Sequence, residues 1–177
     1  MYVGVVTSFR TIIDRVKTCE KKTVVVAAAA EYDILAATVH ARQEGLADFL
    51  YVGDSKRIQQ LAIEYQLDIS DSEIIEEPDA GKAARKAIEL IKKEKAQILM
   101  KGKISTGQIL EMVLKDKDFK KKKTDQFLSH ISIFEWEHRL KLFSDPALSI
   151  APNVEQKRKI ALNAICAAKK LGIIFPR

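Results

Sequence analysis

Apolar residues in the first 115 positions alternate between short continuous runs and longer stretches with helical spacing. The first continuous run covers residues 23–30, TVVVAAAA, and such a run is typical of a strand buried on both faces. Three more predicted strands follow at residues 48–54, 72–77 and 96–101. Single helices separate these strands, and a return of that length requires them to be parallel. The pattern therefore predicts an open parallel α/β sheet with helices on both faces.

Each predicted strand is followed by a segment whose apolar residues recur at helical spacing. The first predicted helix covers residues 31–45, where Gly45 provides a natural stop. The second covers residues 56–65, the third begins near Asp79 and reaches about residue 95, and the fourth runs over residues 104–115. This part of the chain is thus predicted to contain four strand–helix units.

The pattern changes after a lysine-rich stretch at residues 115–123, KDKDFKKKK. Two strands are predicted at residues 127–136 and 139–145, and the two residues between them favour an antiparallel pair. A Pro-containing loop then leads to a helix predicted at residues 154–171, capped by Asn153. The stripe predicted to face inward on this helix consists of Val154, Ala161, Ile165, Ala168 and Leu171.

This change predicts two domains, one at residues 1–122 and one at residues 123–177. The second domain contains two strands and one helix, which are too few to bury both faces of a sheet. We therefore expect another chain to complete it, or the sequence to be the front part of a longer protein.

The chain has a formal net charge of +6, which suits anionic partners such as nucleic acid, phosphate esters or acyl-CoA. Much of this charge lies in the lysine-rich stretch, for which two interpretations are open: a solvated loop or helix face, or a nucleic-acid contact. Phe119 is its one aromatic residue, and a groove for single strands needs several for base stacking. We expect nucleic-acid binding to be the poorer interpretation.

No apolar run approaches the roughly 20 residues that a membrane span needs. The first residues lack the basic start and the small-residue cleavage site of a signal peptide. Cys19 and Cys166 are far apart and have no CxxC spacing, so no disulfide framework or zinc site is predicted. We expect a cytoplasmic protein that has no membrane partner.

The carboxyl end of the fourth predicted strand carries the most informative short segment, ILMKGKIST, at residues 98–106. Ligands of open α/β sheets bind outside the carboxyl ends of the strands, and a helix N-terminus favours anions. Two interpretations are open: a helix capped by Ser105 with two solvated lysines, or an anion-binding site. The residues concerned are Lys101, Gly102, Lys103, Ser105 and Thr106.

The second predicted domain offers fewer candidates. Ser129 and His130 are consecutive on a predicted strand, so their side chains point to opposite faces and do not form a catalytic couple. Asp145 ends a strand beside a proline, where it is either a turn cap or a functional carboxylate. His40 and His138 have no partners at metal-ligand spacing, and we expect no metal site.

Three segments in this order and spacing resemble the phosphate acetyl/butyryl transferase family, with the closest match to its phosphate butyryltransferase branch. They are ILMKGKIST, FLSHISIFE and LFSDPALSIAPNVEQKRKIALNAI, and the resemblance extends over about residues 22–172. Members of this family are considerably longer, which implies that a C-terminal part with the main catalytic residues is missing here. The family commonly has asparagine at the position of Ser149.

The resemblance implies a two-lobed α/β fold like that of isocitrate and isopropylmalate dehydrogenases, with the active site in the cleft between the lobes. It implies acyl-CoA and phosphate as substrates, no permanently bound cofactor, and a homodimer. It places Lys101, Gly102, Lys103, Ser105 and Thr106 on one wall of the cleft, and Ser129, Asp145 and Ser149 on the other.

The first functional hypothesis is a phosphate acyltransferase, or its N-terminal portion, which moves a short-chain acyl group between coenzyme A and inorganic phosphate. The alternative is a catalytically inactive remnant that binds an anion or dimerises. Phosphate-dependent release of thiol from acyl-CoA distinguishes the two.

Overall fold

The computed structural model describes residues 6–116, 127–173 and 175–176. Contacts divide the chain into a larger unit, Cys19–Lys122, and a smaller unit that combines Met1–Thr18 with Lys123–Arg177. In chain order the described elements are α1 (Phe9–Val16), β1 (Thr23–Ala27), α2 (Tyr32–Gln43), β2 (Asp48–Gly53), α3 (Ser55–Glu64), β3 (Glu73–Glu76), α4 (Ala80–Lys92), β4 (Ile98–Lys101), α5 (Thr106–Lys115), β5 (Ser132–Trp136), β6 (Arg139–Phe143) and α6 (Val154–Lys170).

The larger unit is built on a parallel sheet of the four described strands β1 to β4, in the order β3-β2-β1-β4. The central strand β1 places Val25 beside Leu50 of β2 and Leu99 of β4. The predicted parallel α/β sheet is confirmed.

Successive residues of β1 enter different apolar clusters, because side chains alternate along a strand. Val25 lies in one cluster with Ala84 of α4 and Ile109 of α5. Val26 lies in the other with Leu35 of α2 and Ile58 of α3. Helices thus cover both faces of the sheet, as the continuous valine run predicts.

Strand β1 ends three residues earlier than predicted. Ala28 has a φ of 56°, a left-handed conformation that is uncommon for residues other than glycine and that turns the chain out of the strand. The apolar run continues to Ala30 because the turn itself is packed, with Ala28 and Ala29 buried. Burial of the turn therefore explains why the apolar run is longer than the strand.

Helix α1 is absent from the sequence-based prediction. Ser8 caps it by accepting a hydrogen bond from the Thr11 N–H, and none of its residues is buried. The Val6 N–H donates to the Leu171 carbonyl, and the Phe9 N–H donates to the Glu135 carboxylate. The sequence-based division places these first residues in the same domain as the parallel sheet, whereas their contacts lie in the smaller unit.

Strands β5 and β6 form an antiparallel ribbon, as predicted, in which Glu135 lies opposite Leu140. The link consists of Glu137 and His138, which have φ values of 49° and 58°. Positive φ at both central residues is the signature of the type I′ turn, whose twist matches that of the flanking strands. The ribbon is the only sheet that the described residues of the smaller unit form.

The inward stripe predicted for α6 is largely wrong. Val154, Ala161 and Ile165 are exposed, whereas Ile160 and Ala168 are buried. The helix turns toward the unit the face that also carries Asn163, Ala164 and Ala167, all of them half-buried. Because this inward face carries a polar asparagine, a prediction based on the spacing of apolar residues does not identify it.

Most of the lysine-rich stretch, from residue 117 onward, and the predicted domain boundary at residues 122–123 lie outside the described residues. Among the helices that the structure does describe, none has the length and apolar character needed to cross a bilayer. The described ranges also contain no group of three or more His, Cys, Asp or Glu side chains placed to hold a metal ion.

Candidate functional site

The strand order places β1 beside β4, although three helices and two strands separate them in sequence. From β1 the chain proceeds through β2 to β3 in one direction, whereas β4 lies on the other side. This reversal is a topological switch point, and ligands of open α/β sheets commonly bind outside the carboxyl ends of the strands at such a point. The loops concerned are residues 28–31 after β1 and residues 102–105 after β4.

Gly102 holds these two loops together. Its N–H donates to the Ala27 carbonyl at 2.7 Å, and the Lys103 N–H donates to the Ala28 carbonyl at 2.8 Å. A Cβ atom at Gly102 would lie 2.9 Å from the Ala27 carbonyl oxygen and still closer to that of Ala28. The glycine is therefore required by a close approach of protein backbone, and its N–H is already bound.

The segment after β4 alternates between buried and exposed residues. Gly102 and Ile104 are buried, and Ile104 belongs to the cluster that α4 and α5 cover. Lys101 and Lys103 are exposed. The Lys101 ammonium donates a long hydrogen bond of 3.5 Å to the Gly102 carbonyl. The anchored backbone thus presents two lysines to solvent at the switch point.

Ser105 is the N-cap of α5. Its hydroxyl accepts a hydrogen bond from the Gln108 N–H at 3.2 Å and donates to the Gln108 side chain at 2.9 Å. Within the described part of the chain, the N–H groups of Thr106 and Gly107 have no partner. The capping interpretation of Ser105 is therefore realised, and Thr106 and Gly107 present the unpaired N–H groups of the helix end.

These groups together give the β4–α5 turn a positive electrostatic character. Two exposed ammonium groups lie beside the positive end of a helix dipole, and the Thr106 hydroxyl is exposed at the first position of that helix. An anion such as phosphate is stabilised in such surroundings. Lys101, Lys103 and Thr106 are the predicted site residues best placed for contact, whereas Gly102 and Ser105 hold the backbone.

In the smaller unit, Asp145 organises the loop after β6. Its carboxylate accepts a hydrogen bond from the Ser149 hydroxyl at 2.7 Å and another from the Leu148 N–H at 3.0 Å. The Ala147 N–H adds a longer one at 3.3 Å. Burial by itself raises the pKa of this carboxyl group, but the hydrogen bonds favour the ionised form and hold the pKa of Asp145 below its ordinary value.

Ser129 is held by a residue that the sequence analysis missed. The Asn163 side-chain amide donates to the Ser129 hydroxyl oxygen at 2.8 Å and to the Phe127 carbonyl at 2.7 Å. Because the serine oxygen accepts from this amide, its own hydrogen remains to be donated elsewhere. The available signal was an amide at a position where the helical spacing of α6 requires a residue facing inward.

The smaller unit also brings its predicted site residues together. The Ser144 hydroxyl donates to the His130 carbonyl at 2.8 Å, a bond that ties the residue after Ser129 to the residue before Asp145. Ser129 and Asp145 are therefore each adjacent in sequence to one partner of this hydrogen bond. Ser129, Asp145 and Ser149 form one neighbourhood, and Lys101 to Thr106 form another in the larger unit.

A match to a protein-family model identifies the family of the chain. The model described as phosphate acetyl/butaryl transferase matches residues 8–85 and 79–177 of the chain. The chain belongs to this family. The matched ranges include both groups of candidate residues.

Individual relatives agree with this assignment. The chain is 38% identical over 173 residues to the phosphate butyryltransferase of Clostridium acetobutylicum, an alignment that covers 96% of the chain and 56% of that relative. A branched-chain phosphotransacylase from Enterococcus faecalis superimposes with a TM-score of 0.66 at 27% identity, covering 85% of this chain and 52% of that one.

A phosphotransacetylase from Streptococcus pyogenes supports the fold alone, because its sequence identity is 18%. It superimposes with a TM-score of 0.75 and covers 94% of this chain and 60% of its own. The chain spans about half the length of the curated relatives that it matches.

Proposed function

We propose that this chain provides the phosphate-binding part of a phosphate acyltransferase, which converts acyl-CoA and inorganic phosphate into acyl phosphate and coenzyme A. The observation that carries the proposal is the pair of exposed lysines, Lys101 and Lys103, beside the N-terminus of α5 at the switch point of the sheet. Membership of the phosphate acetyl/butaryl transferase family supports this reaction class.

The reaction requires positioning and charge stabilisation more than covalent catalysis. A phosphate oxygen attacks the thioester carbonyl carbon, a carbon–oxygen bond forms, and the carbon–sulfur bond breaks. The electron pair of that bond leaves with sulfur as the thiolate of coenzyme A, which then takes up a proton. The negative charge on phosphate and on the developing oxyanion is the main obstacle that the protein has to offset.

The residues of the larger unit suit the binding of phosphate. Lys101 and Lys103 offset its charge, while the N–H groups of Thr106 and Gly107 and the Thr106 hydroxyl donate to its oxygens. Gly102 and Ser105 fix the backbone and the helix end that present these donors. The lysine ammonium is a point charge and lacks the planar, bidentate donor geometry of arginine. The N–H groups of the helix N-terminus therefore orient the phosphate.

The smaller unit offers polar groups that suit a substrate oxygen. Ser129, whose oxygen accepts from Asn163, has its hydrogen to donate to a substrate oxygen. Asp145 and Ser149 shape the loop that follows β6, and the ionised carboxylate holds the Ser149 hydroxyl in place. We include in the proposal a cytoplasmic setting, a homodimeric assembly, coenzyme A as substrate, and no permanently bound cofactor.

The direct test is release of free thiol by the purified chain. Butyryl-CoA and acetyl-CoA are supplied with and without inorganic phosphate, and the thiol is measured by a colorimetric reagent. Phosphate-dependent release above the background of buffer alone supports the transferase. Release at background in the presence of phosphate would favour the inactive remnant.

Binding tests the site independently of turnover. We expect the double variant Lys101→Ala/Lys103→Ala to weaken the binding of inorganic phosphate at least tenfold in calorimetric titration, because charge-assisted contacts are lost. The matched control is Lys93→Ala/Lys95→Ala, which removes the same charge before the amino end of β4. Equal binding by the two double variants would assign the lysines at residues 101 and 103 to solvent contact alone.

A further inference from the structure

Lys101 and Lys103 differ in how their ammonium groups are held. The Lys101 ammonium donates to the Gly102 carbonyl, which also accepts a hydrogen bond from the Ile104 N–H at 2.9 Å. Within the part of the chain that the structure describes, the Lys103 ammonium has no hydrogen bond and no ion pair. Lys103 therefore carries the less restrained of the two amines beside the N-terminus of α5.

The backbone of Lys103 is fixed although its side chain is not. Its N–H donates to the Ala28 carbonyl at 2.8 Å, and the residues on either side of it are buried. Lys103 precedes Thr106 by three residues, which span at most about 11 Å even in an extended chain. The flexible four-carbon stem of lysine covers much of that distance. The amine can thus reach a phosphate bound to the N–H groups that open α5.

Other lysines of the larger unit are tied to carboxylates. The Lys115 ammonium pairs with Glu111, and the Lys92 ammonium lies 3.2 Å from the Asp116 carboxylate. To react with an electrophile, such a lysine has to leave its partner as well as lose a proton. Among the described residues, Lys103 has no carboxylate partner of this kind. Its position and its lack of restraint both favour reaction with a group bound at the turn.

The acyl phosphate that the proposed reaction produces is a mixed anhydride and therefore an acylating agent. A single bridging oxygen separates its phosphorus atom from its carbonyl carbon. If the phosphate group is held at the β4–α5 turn, the carbonyl carbon is held beside the same lysines. Binding of this kind raises the effective concentration of the electrophile at a neighbouring amine.

We propose that acyl phosphate bound at the β4–α5 turn acylates the Lys103 side chain, so that Lys103 is a self-acylation site. This inference rests on the proposed function, which supplies the acyl phosphate and the donors that bind it. The ammonium first loses a proton to water, and the neutral nitrogen attacks the acyl carbonyl carbon to form a carbon–nitrogen bond. The bond from that carbon to the bridging oxygen breaks, and its electron pair leaves with phosphate, which takes the second proton of the nitrogen.

Acylation of Lys103 alters the site that binds the reagent. The amide that forms is neutral, so one of the two positive charges beside the N-terminus of α5 is removed. The affinity of the turn for phosphate and for acyl phosphate then falls, because Lys101 alone remains to offset their charge. Accumulated product would in this way weaken its own binding site and that of the substrate phosphate.

The test follows acetylation lysine by lysine. The full 177-residue chain is incubated with acetyl phosphate, and peptide mass spectrometry measures the rate at each lysine. Lys93, which is exposed at the end of α4, is the matched comparison. We expect Lys103 to react about fivefold faster or more, because only Lys103 lies beside a phosphate site. Inorganic phosphate, exchanged for chloride at equal ionic strength, should slow the reaction of Lys103 and leave that of Lys93 unchanged.

Variants connect the modification to phosphate affinity, which is measured by calorimetry before and after treatment with acetyl phosphate. Treatment should weaken phosphate binding by the unchanged chain about threefold or more, because a charge is lost. Lys103→Arg keeps a charge that acetyl phosphate does not remove, so its affinity should be the same before and after. Lys93→Arg should lose affinity as the unchanged chain does. Far-ultraviolet circular dichroism establishes that each variant is folded.

Several results would overturn the inference. They are equal rates for Lys103 and Lys93, a Lys103 rate that phosphate does not slow, and faster reaction at Lys101 than at Lys103. Faster acetylation of Lys103 by acetyl-CoA in the absence of phosphate would identify a thioester as the donor and also contradict it. If the untreated chain binds phosphate through Lys101 and Lys103 but shows any of these results, the inference fails and the proposed function stands. Absence of phosphate binding by the untreated chain would contradict both.

Discussion

The sequence indicates Gly102 as a place where backbone approaches an anion, but the structure gives this residue a different role. From the sequence, a glycine between two lysines suggests close approach of the backbone to an anion. In the structure, its N–H is bound to Ala27, and the missing Cβ leaves space for the carbonyl of Ala28. Its contribution is to bring the two loops of the switch point together, so Lys101 and Lys103 are displayed from a fixed backbone.

Replacement of Gly102 by alanine should destabilise the larger unit by about 2–4 kcal/mol, because a Cβ atom would overlap backbone that cannot give way cheaply. The measurement is denaturant unfolding followed by circular dichroism. Gly107→Ala is the control, since a Cβ at Gly107 meets nothing within 4 Å, and it should change stability by less than about 1 kcal/mol. Similar losses for the two variants would contradict this account of Gly102.

Asp145→Asn should lower the stability of the smaller unit at neutral pH by about 1–2 kcal/mol, because charge-assisted hydrogen bonds are lost. The folded-state pKa of Asp145 lies below its ordinary value, so its contribution is present above the ordinary carboxyl pKa. That contribution disappears as pH falls through the lowered pKa. The stability gap between the two proteins, followed by Trp136 emission, should therefore close on acidification; a constant gap would exclude ionisation as the cause.

At the scale of single elements, α6 is the helix whose inward face the spacing of apolar residues predicted least well. The spacing of Val154, Ala161 and Ile165 predicts an inward stripe, but these side chains are exposed. Asn163 faces inward instead, where its amide binds the chain before β5. Hydrogen bonding to a specific carbonyl depends on which segment packs against the helix, and sequence periodicity contains no information about that.

Asn163→Ala should destabilise the smaller unit by about 1–2 kcal/mol, because the Phe127 carbonyl and the Ser129 hydroxyl lose a donor. Leu162→Ala, one position away on the exposed face of α6, is the control and should change stability by less than about 0.5 kcal/mol. Asn163→Asp, which keeps the shape but places an oxygen against the Phe127 carbonyl, should be at least as damaging as alanine. Equal stability of the Asn163→Ala and Leu162→Ala variants in thermal unfolding would rule out this role.

At the scale of the whole molecule, the two units differ in how completely their apolar residues are covered. The larger unit has clusters on both faces of its sheet. Among the described residues of the smaller unit, the buried apolar side chains are those of Val6, Leu140, Ile160 and Ala168. Local stability follows the density of buried apolar contacts. The two units of the isolated chain should therefore open at different free energies.

Amide hydrogen exchange of the whole chain should reveal this difference. We expect ladder amides of β1 and β2, such as those of Val25 and Val52, to exchange at least tenfold more slowly than ladder amides of β5 and β6. The comparison uses hydrogen-bonded strand positions in both units, so that backbone bonding is matched. Equal protection of the two sheets would show that the chain opens as one cooperative unit.

The sequence by itself determined the parallel sheet, its four strand–helix units and the antiparallel ribbon, because alternating periodicities of apolar residues are local properties. It also located the lysines and the cap of Ser105 at the end of β4. Only the tertiary structure decided that Gly102 serves a backbone contact and that α6 turns its Asn163 face inward. These depend on which segments meet in space, a property that no local pattern encodes.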